Sequence, residues 1–192
     1  MSGRAVTRGR PRAGDPTQIS RIALAHIGRD GWAETTMAAI AERSGISEPT
    51  LFRYFPTKAD VLWHGMDESA QVFRDRFDQR DSRIALPLAV VDAYREMLLS
   101  DSERLSLIKV RAAIIAADPA AAEASWRKFE EWRSLVTDLL SQAGEGSALE
   151  VRIRGAMIWA ALWSALTAWS LTDDADPSAQ VATARRLLTT LP

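Results

Sequence analysis

Apolar residues recur every three to four positions along most of the chain, which is the spacing of one face of an α-helix. The first such segment follows Asp15-Pro16, an N-cap and then a proline at the first helical position, and it ends near Gly31. No stretch alternates apolar and polar residues over the length of a strand with β-branched side chains. The pattern therefore predicts an all-α protein.

Two short helices are predicted next, on either side of a glycine. Thr36 caps a helix over residues 37–43, which ends before Gly45. Ser47 caps a third helix, which extends to Phe55. Glycine supplies the positive φ that a tight turn between two helices requires. Such a pair is a helix-turn-helix, although a helical hairpin without a partner would have the same pattern.

A long fourth helix is predicted from Lys58 to about Gln79. Further helical segments, separated by breaks rich in Gly, Ser, Asp or Pro, cover residues near 84–99, 102–117, 119–142, 147–171 and 177–190. The stretch 155–171 has no charged residue. A membrane-spanning helix needs about 20 apolar residues, and this stretch is shorter and contains three hydroxyl side chains. We therefore expect a helix that is buried on both faces, not a membrane segment.

The composition narrows the classes of function. The chain has 192 residues, of which 47% are hydrophobic, and a formal net charge of −1. Residues 1–64 carry nine Lys/Arg against six Asp/Glu, which favours a polyanionic partner for this part. There is no Cys, and His26 and His64 are isolated, so we expect no metal site and no cofactor. No nucleophile–His–acid set or Gly-rich phosphate loop is recognisable, so we expect no enzyme.

The first residues, "MSGRAVTRGRPRAGDP", are rich in Arg and Gly and lack the apolar core of a signal peptide. The expected compartment is the cytoplasm. Residues 1–14 are predicted to be disordered. This segment contains four arginines, Arg4, Arg8, Arg10 and Arg12. They either enter a DNA minor groove or only keep the tail soluble.

The stretch "GWAETTMAAIAERSGISEPTLFRYFPTKADVL" resembles the DNA-binding region of TetR-family transcriptional regulators. The family pattern has Gly, Thr, Ile-Ala, a Gly-Val/Ile-Ser turn, Thr-Leu-Tyr-x-His-Phe and Ser/Thr-Lys. The matching positions are Gly31, Thr36, Ile40-Ala41, Gly45-Ile46-Ser47, Thr50 to Phe55 and Thr57-Lys58. "FRYFPTK" is similar to a variant common among actinobacterial members.

The resemblance implies a DNA-binding role for one set of residues. Phosphate contacts are implied for Thr36, Ser47, Thr50, Tyr54 and Lys58. Nearest the bases would lie Glu48, Pro49 and Phe52, and Arg53 completes the outer side of the helix. Phe52 replaces the family's usual Tyr and lacks its hydroxyl. Tyr54 replaces the usual His and either faces DNA or packs partly into the core.

The resemblance also implies an architecture and partners. An N-terminal three-helix helix-turn-helix domain, residues 15–62, would be joined by the long helix to a helical ligand-binding and dimerisation domain, residues 63–192. The expected partners are a double-stranded DNA operator, a second copy of the chain and a small hydrophobic effector of unknown identity. No membrane is expected among the partners. The expected pocket residues are Trp63, Met66, Phe73, Tyr94, Ile108, Arg111, Ile115, Trp126, Phe129, Trp159 and Trp163.

Residues on the last two helices are expected at the dimer interface, namely Met157, Leu162, Leu166, Trp169, Ala184 and Leu188. Arg111 either meets an acidic group of the ligand or lies on a solvated helix face. The predicted function is a DNA-binding transcriptional regulator, a repressor that a small hydrophobic ligand releases from a palindromic operator. Two alternatives stay open: a helical interaction or scaffold protein that binds no DNA, and a small all-helical enzyme.

Overall fold

The computed structural model describes residues 14–144 and 146–189, and every regular element within them is an α-helix, as predicted. The predicted tail up to residue 13, with its four arginines, lies outside this part. In chain order the helices are α1 (Pro16–Asp30), α2 (Met37–Arg43), α3 (Glu48–Tyr54), α4 (Lys58–Leu62), α5 (Met66–Asp78), α6 (Leu86–Leu99), α7 (Ser102–Ala117), α8 (Pro119–Ala124), α9 (Trp126–Gln142), α10 (Ala148–Ser170) and α11 (Ser178–Thr189).

The first four helices enclose a small apolar core. Each helix contributes residues at helical spacing, so that one stripe of every helix is removed from water. The core consists of Ile19, Ala23, Ile40, Ala41, Leu51, Phe55 and Val61, all at most 3% exposed. This core fixes α3 against α1 and leaves the opposite side of α3 in solvent.

The remaining helices form a larger body in which α10 is central. It packs against α9, α7 and α11, while α5 lies along α6. Helices α9 and α10 approach closely at Gly155, where an added Cβ would lie 2.4 Å from Thr137 Oγ1 and 3.1 Å from Thr137 Cα. Only a residue without a side chain allows the two backbones to come this close.

Helix α1 belongs to both cores. Ile19 and Ala23 face the small core, whereas Leu24 and Ile27 are buried in the core of the body, where α1 packs on α7. The division of the chain at residues 62 and 63 therefore stays a prediction, because the first helix contributes to both sides of it.

The predicted long fourth helix is wrong. Helix α4 ends at Leu62, and α5 begins only at Met66. Gly65 adopts a left-handed conformation, with φ of 79°, which a helix cannot continue through. The two short helices are consequently joined by a three-residue linker, residues 63–65.

The predicted helix over residues 119–142 is also divided, at Ser125. This residue is fully buried, and its hydroxyl donates to the carbonyl of Ala121. The same hydroxyl accepts a hydrogen bond of 2.9 Å from the indole nitrogen of Trp63, which lies in the linker between α4 and α5. The two helix interruptions therefore contact each other in the fold.

Candidate nucleic-acid interface and effector cavity

The turn between α2 and α3 is built by two caps and a glycine. Thr36 Oγ1 accepts from the backbone N–H of Ala39, and Ser47 Oγ accepts from that of Thr50. Gly45 has φ of 67°, in the region that other residues rarely adopt. Both hydroxyl groups satisfy N–H groups that a helix start leaves unpaired, so the sequence itself fixes where each helix begins.

The outer side of α3 is open to solvent. Seven of the nine predicted DNA-binding residues are exposed, and Phe52 and Tyr54 keep 45% and 38% of their surface accessible. The half-buried members are Thr50, whose hydroxyl pairs with Ser47, and Lys58. The exposed members are Thr36, Ser47, Glu48, Pro49, Phe52, Arg53 and Tyr54. The helix thus presents its first turn, with Glu48 as the one charged side chain there, to solvent, as a helix that enters a groove would.

Lys58 is already engaged by the protein. Its ammonium donates to the carbonyls of Trp32 and Thr35, the latter at 2.8 Å, and lies 4.2 Å from the centroid of the Trp32 ring. Burial lowers the pKa of this amine. Lys58 therefore holds the loop between α1 and α2, and a phosphate contact could use only its remaining donor.

A small enclosed cavity lies among the aromatic residues of the body. Its volume is about 10 Å³, which is no more than a single water molecule requires. Seven predicted pocket residues line it: Trp63, Met66, Tyr94, Ile108, Arg111, Trp159 and Trp163. Ala112, Trp132 and Leu166 complete the wall. The aromatic cluster was recognisable in the sequence, but its side chains are packed almost solid, so no space of ligand size is preformed among these aromatic residues.

The other four predicted pocket residues lie elsewhere. Phe73 and Phe129 stand behind the cavity wall, where Phe73 stacks on Trp132 and Phe129 packs edge-on against Trp163. Ile115 is buried in the core of the body. Trp126 is 65% exposed, because it begins α9 on the surface, and its assignment to the pocket is wrong.

Arg111 is buried and does not lie on a solvated face. It is 4% exposed, and its guanidinium donates to the carbonyls of Leu62 and His64 and to the sulfur of Met66. Burial lowers its pKa to about 10, which still leaves the side chain charged at neutral pH. Lys109, on the same helix, instead donates to the Asp174 carbonyl.

Three comparisons place these features among known proteins. The model of "Bacterial regulatory proteins, tetR family" matches residues 19–63, which contain α2, the turn and α3. Residues 19–63 therefore resemble the DNA-binding region of TetR-family transcriptional regulators. The chain is 26% identical over 165 residues to MftR of Mycobacterium tuberculosis, whose name assigns it to the transcriptional regulation of mycofactocin biosynthesis; the match covers 84% of this chain and 81% of that one.

Solved structures share the TetR-family fold. FadR of Thermus thermophilus, a repressor in complex with lauroyl-CoA, superimposes with a TM-score of 0.56 at 20% identity, over 93% of this chain and 96% of that one. FadR of Bacillus subtilis, in complex with stearoyl-CoA, gives a TM-score of 0.62 at 20% identity, over 92% and 98%. At this identity the likeness establishes the helical fold.

Most predicted dimer residues are buried inside the subunit itself. Leu162, Leu166 and Trp169 are at most 4% exposed, and Leu166 lines the aromatic cavity. Ala184 is 5% exposed, so it is equally inaccessible to a partner, and Leu188 is half-buried. Assigning these buried residues to the interface was wrong, because both faces of α10 are apolar and the periodicity does not distinguish them.

The outer face of α10 carries other residues. Met157 is 38% exposed, and Leu149 and Ile153 are 64% and 49% exposed. Small residues continue this face toward the end of the helix at Ala156, Ala160, Ser164 and Ala168.

Membrane and metal sites find no support in the described part of the chain. None of its helices combines the length and the apolar character that crossing a bilayer requires. No group of three or more His, Asp or Glu side chains in residues 14–144 and 146–189 is placed to hold a metal ion.

Proposed function

We propose that this TetR-family regulator is a dimeric repressor that binds a palindromic operator and is released by a small hydrophobic effector. The observation that carries the proposal is the exposed first turn of α3, held rigidly by the small core behind it. A helix start of this kind attracts phosphate and fits the major groove of B-DNA.

The roles of individual residues follow from their positions. The hydroxyls of Thr36, Ser47, Thr50 and Tyr54 would bind phosphates and so fix the register of the protein on DNA. Glu48 would accept a hydrogen bond from a cytosine amino group, and Phe52 would contact a thymine methyl group.

Dimerisation through the outer face of α10 and through α11 supports the two-fold operator. The small residues on this face permit close approach of a second copy, and Met157 and Ile153 supply apolar area. Two identical recognition helices related by a two-fold axis require two half-sites with inverted sequence.

The effector would enter between the aromatic residues of the body. Two FadR proteins of the same fold carry acyl-CoA, which supports an effector with a long apolar chain. Because the cavity holds only about 10 Å³, such an effector must displace aromatic side chains and shift the helices that carry them. That requirement links ligand entry to a change of shape.

The test starts with selection of bound sequences from random duplex DNA. The affinity for the selected sequence and for a scrambled one is then measured with the wild type, with Glu48→Ala and with Glu96→Ala, a control on the exposed side of α6. We expect a near-palindrome from the selection. Glu48→Ala should relax base preference at one position of each half-site by about 1–3 kcal/mol. The control should leave it unchanged.

If no sequence is selected and the protein binds all DNA equally weakly, the operator proposal is contradicted. That result would favour a helical interaction protein instead. An asymmetric selected site would contradict the dimer in its DNA-bound form.

A further inference from the structure

The charge of Arg111 has no counter-ion in the described part of the chain. All three of its contacts are to neutral acceptors, and it forms no salt bridge with a carboxylate of residues 14–144 and 146–189. A buried cation without an anion is unfavourable, because neutral dipoles replace only part of its hydration. The position is thus suited to receive an anion from outside the protein.

All three contacts lie at the junction between α4 and α5. Leu62 is the last residue of α4, His64 lies in the linker, and Met66 is the first residue of α5. The Arg111 side chain therefore ties α7 of the body to the point where the DNA-binding helices join it. No other side chain in the described ranges donates to these three groups.

Arg111 and Met66 also separate two cavities. On one side is the aromatic cavity, and on the other is a polar cleft of about 120 Å³ between α1, α5 and α7. The cleft has room for several water molecules, and so for a carboxylate or phosphate group.

The other charges of the cleft are largely paired. Arg21 pairs with Glu103, and Arg104 lies 3.7 Å from Asp101. Glu68 also lines the cleft. Besides Arg111, the cleft wall contributes Arg21, whose Nε is buried and lacks a hydrogen-bond partner among the described atoms. Because Arg21 and Arg104 each have a carboxylate partner, Arg111 is the arginine of the cleft wall that lacks one in the described part of the chain, and an anion in the cleft would supply it.

We infer that the effector is an anionic amphiphile, whose acidic group enters the polar cleft and binds Arg111 while its apolar chain occupies the aromatic cavity. This inference rests on the proposed release by a hydrophobic effector and specifies its chemistry. The acidic group withdraws the guanidinium from Leu62 and His64. The junction between α4 and α5 is then freed from α7, and the recognition helices lose their fixed position.

Release requires that the effector bind the freed state more tightly than the tied state. The anion supplies this difference, since Arg111 cannot hold the linker carbonyls and the anion with the same donors. Coupling of this kind in proteins changes the affinity of the second ligand by about 5–150-fold.

The probes are decanoate and 1-decanol, which share an apolar chain and differ in charge. Binding is followed by Trp fluorescence, and the affinity for the selected operator is measured separately in the presence of each probe. We expect decanoate to bind at least about tenfold more tightly than 1-decanol, the factor that one charge-assisted hydrogen bond supplies. Only decanoate should weaken operator binding. Because 1-decanol is the more apolar probe, hydrophobicity alone predicts the opposite order.

Two variants test whether Arg111 causes the preference for decanoate over 1-decanol. Arg111→Gln should remove the preference for decanoate, and Lys109→Gln, a cation lost from the same helix outside the cleft, should retain it. Decyl phosphate is compared with decanoate to distinguish the two acidic groups, and a preference for either over 1-decanol supports the inference. The wild-type comparison of charged and neutral probes needs no variant, so it decides the matter even where Arg111→Gln fails to fold.

The outcomes separate this inference from the proposed function. If both charged and neutral probes release the operator equally, release by an apolar effector stands and the role of Arg111 is overturned. If Arg111→Gln still prefers decanoate, the anion binds elsewhere and the inference fails. Binding of decanoate without any change in operator affinity overturns the coupling, and binding of no probe overturns the inference as a whole.

Discussion

Replacement of Lys58 by methionine distinguishes two roles for this residue. Methionine retains the apolar stem that packs near Trp32 and removes the ammonium group. In the structure the ammonium donates to two carbonyls of the loop between α1 and α2 and lies over the indole ring. The family resemblance, in contrast, implies a phosphate contact for the same group.

The magnitude follows from these contacts. A hydrogen bond from a charged donor is worth about 1.5–3 kcal/mol when buried, and the cation–π contact adds about 0.5–1 kcal/mol. Because Lys58 is only half-buried, water replaces part of each contact, so we expect a loss of about 2 kcal/mol. For a chain of this length that corresponds to a decrease in Tm of about 4–8 °C.

Thermal unfolding and the salt dependence of operator binding are measured on the same preparations. Arg53→Met is the matched control, because Arg53 is an exposed cation on α3 that makes no hydrogen bond to the loop. Arg53→Met should change Tm by no more than about 1–2 °C relative to the wild type. If Arg53 contacts phosphate, its loss should reduce the slope of log affinity against log salt by about 0.9. An unchanged Tm for Lys58→Met would refute the structural role and leave phosphate binding as its main function.

Three further predictions concern the body. Met157→Arg, on the outer face of α10, should convert a dimer into a monomer in light scattering at micromolar concentration, whereas Ala116→Arg on α7 should not; a monomeric wild type would contradict the interface. Gly155→Ala should destabilise the protein by about 1–3 kcal/mol in urea unfolding, because the added methyl group meets the backbone of Thr137; equal midpoints would contradict the close packing of α9 and α10. Folded-state pKa values below the unfolded ones mean stability that is present at higher pH and lost as pH falls, so Tm should decrease below about pH 5, and the lowered pKa of half-buried His64 adds a smaller decrease as pH falls below about 7. The carboxyl groups with lowered pKa are those of Asp30, Asp81, Asp101, Glu130, Glu150 and Asp176.

Local signals in the sequence predict the two helices and the turn of the helix-turn-helix correctly. Thr36 and Ser47 cap helices through hydrogen bonds within three residues, and Gly45 provides the turn, so neighbouring residues determine the structure. Because the ends of α2 and α3 are fixed and Ile40 and Leu51 point inward, the residues on the outer side of α3 could also be predicted.

Features that depend on distant contacts were not predictable in the same way. Gly65 lies inside the predicted long helix, where a glycine in a helical pattern already weakens the expectation of a continuous helix. The division at Ser125 depends on a hydrogen bond from Trp63, 62 residues away, which no local pattern indicates. For α10, both faces are apolar, so only the packing of α7, α9 and α11 decides which face is inside.

Helix α1 contributes residues to both the small core and the core of the body, which limits how hybrid regulators can be constructed. Exchanging the whole of residues 15–62 for that of a relative would replace Leu24 and Ile27, which the body core of this chain is shaped to receive. A graft that exchanges only α2, the turn and α3, and keeps α1 with its native body, should therefore transfer operator choice with less loss of folding.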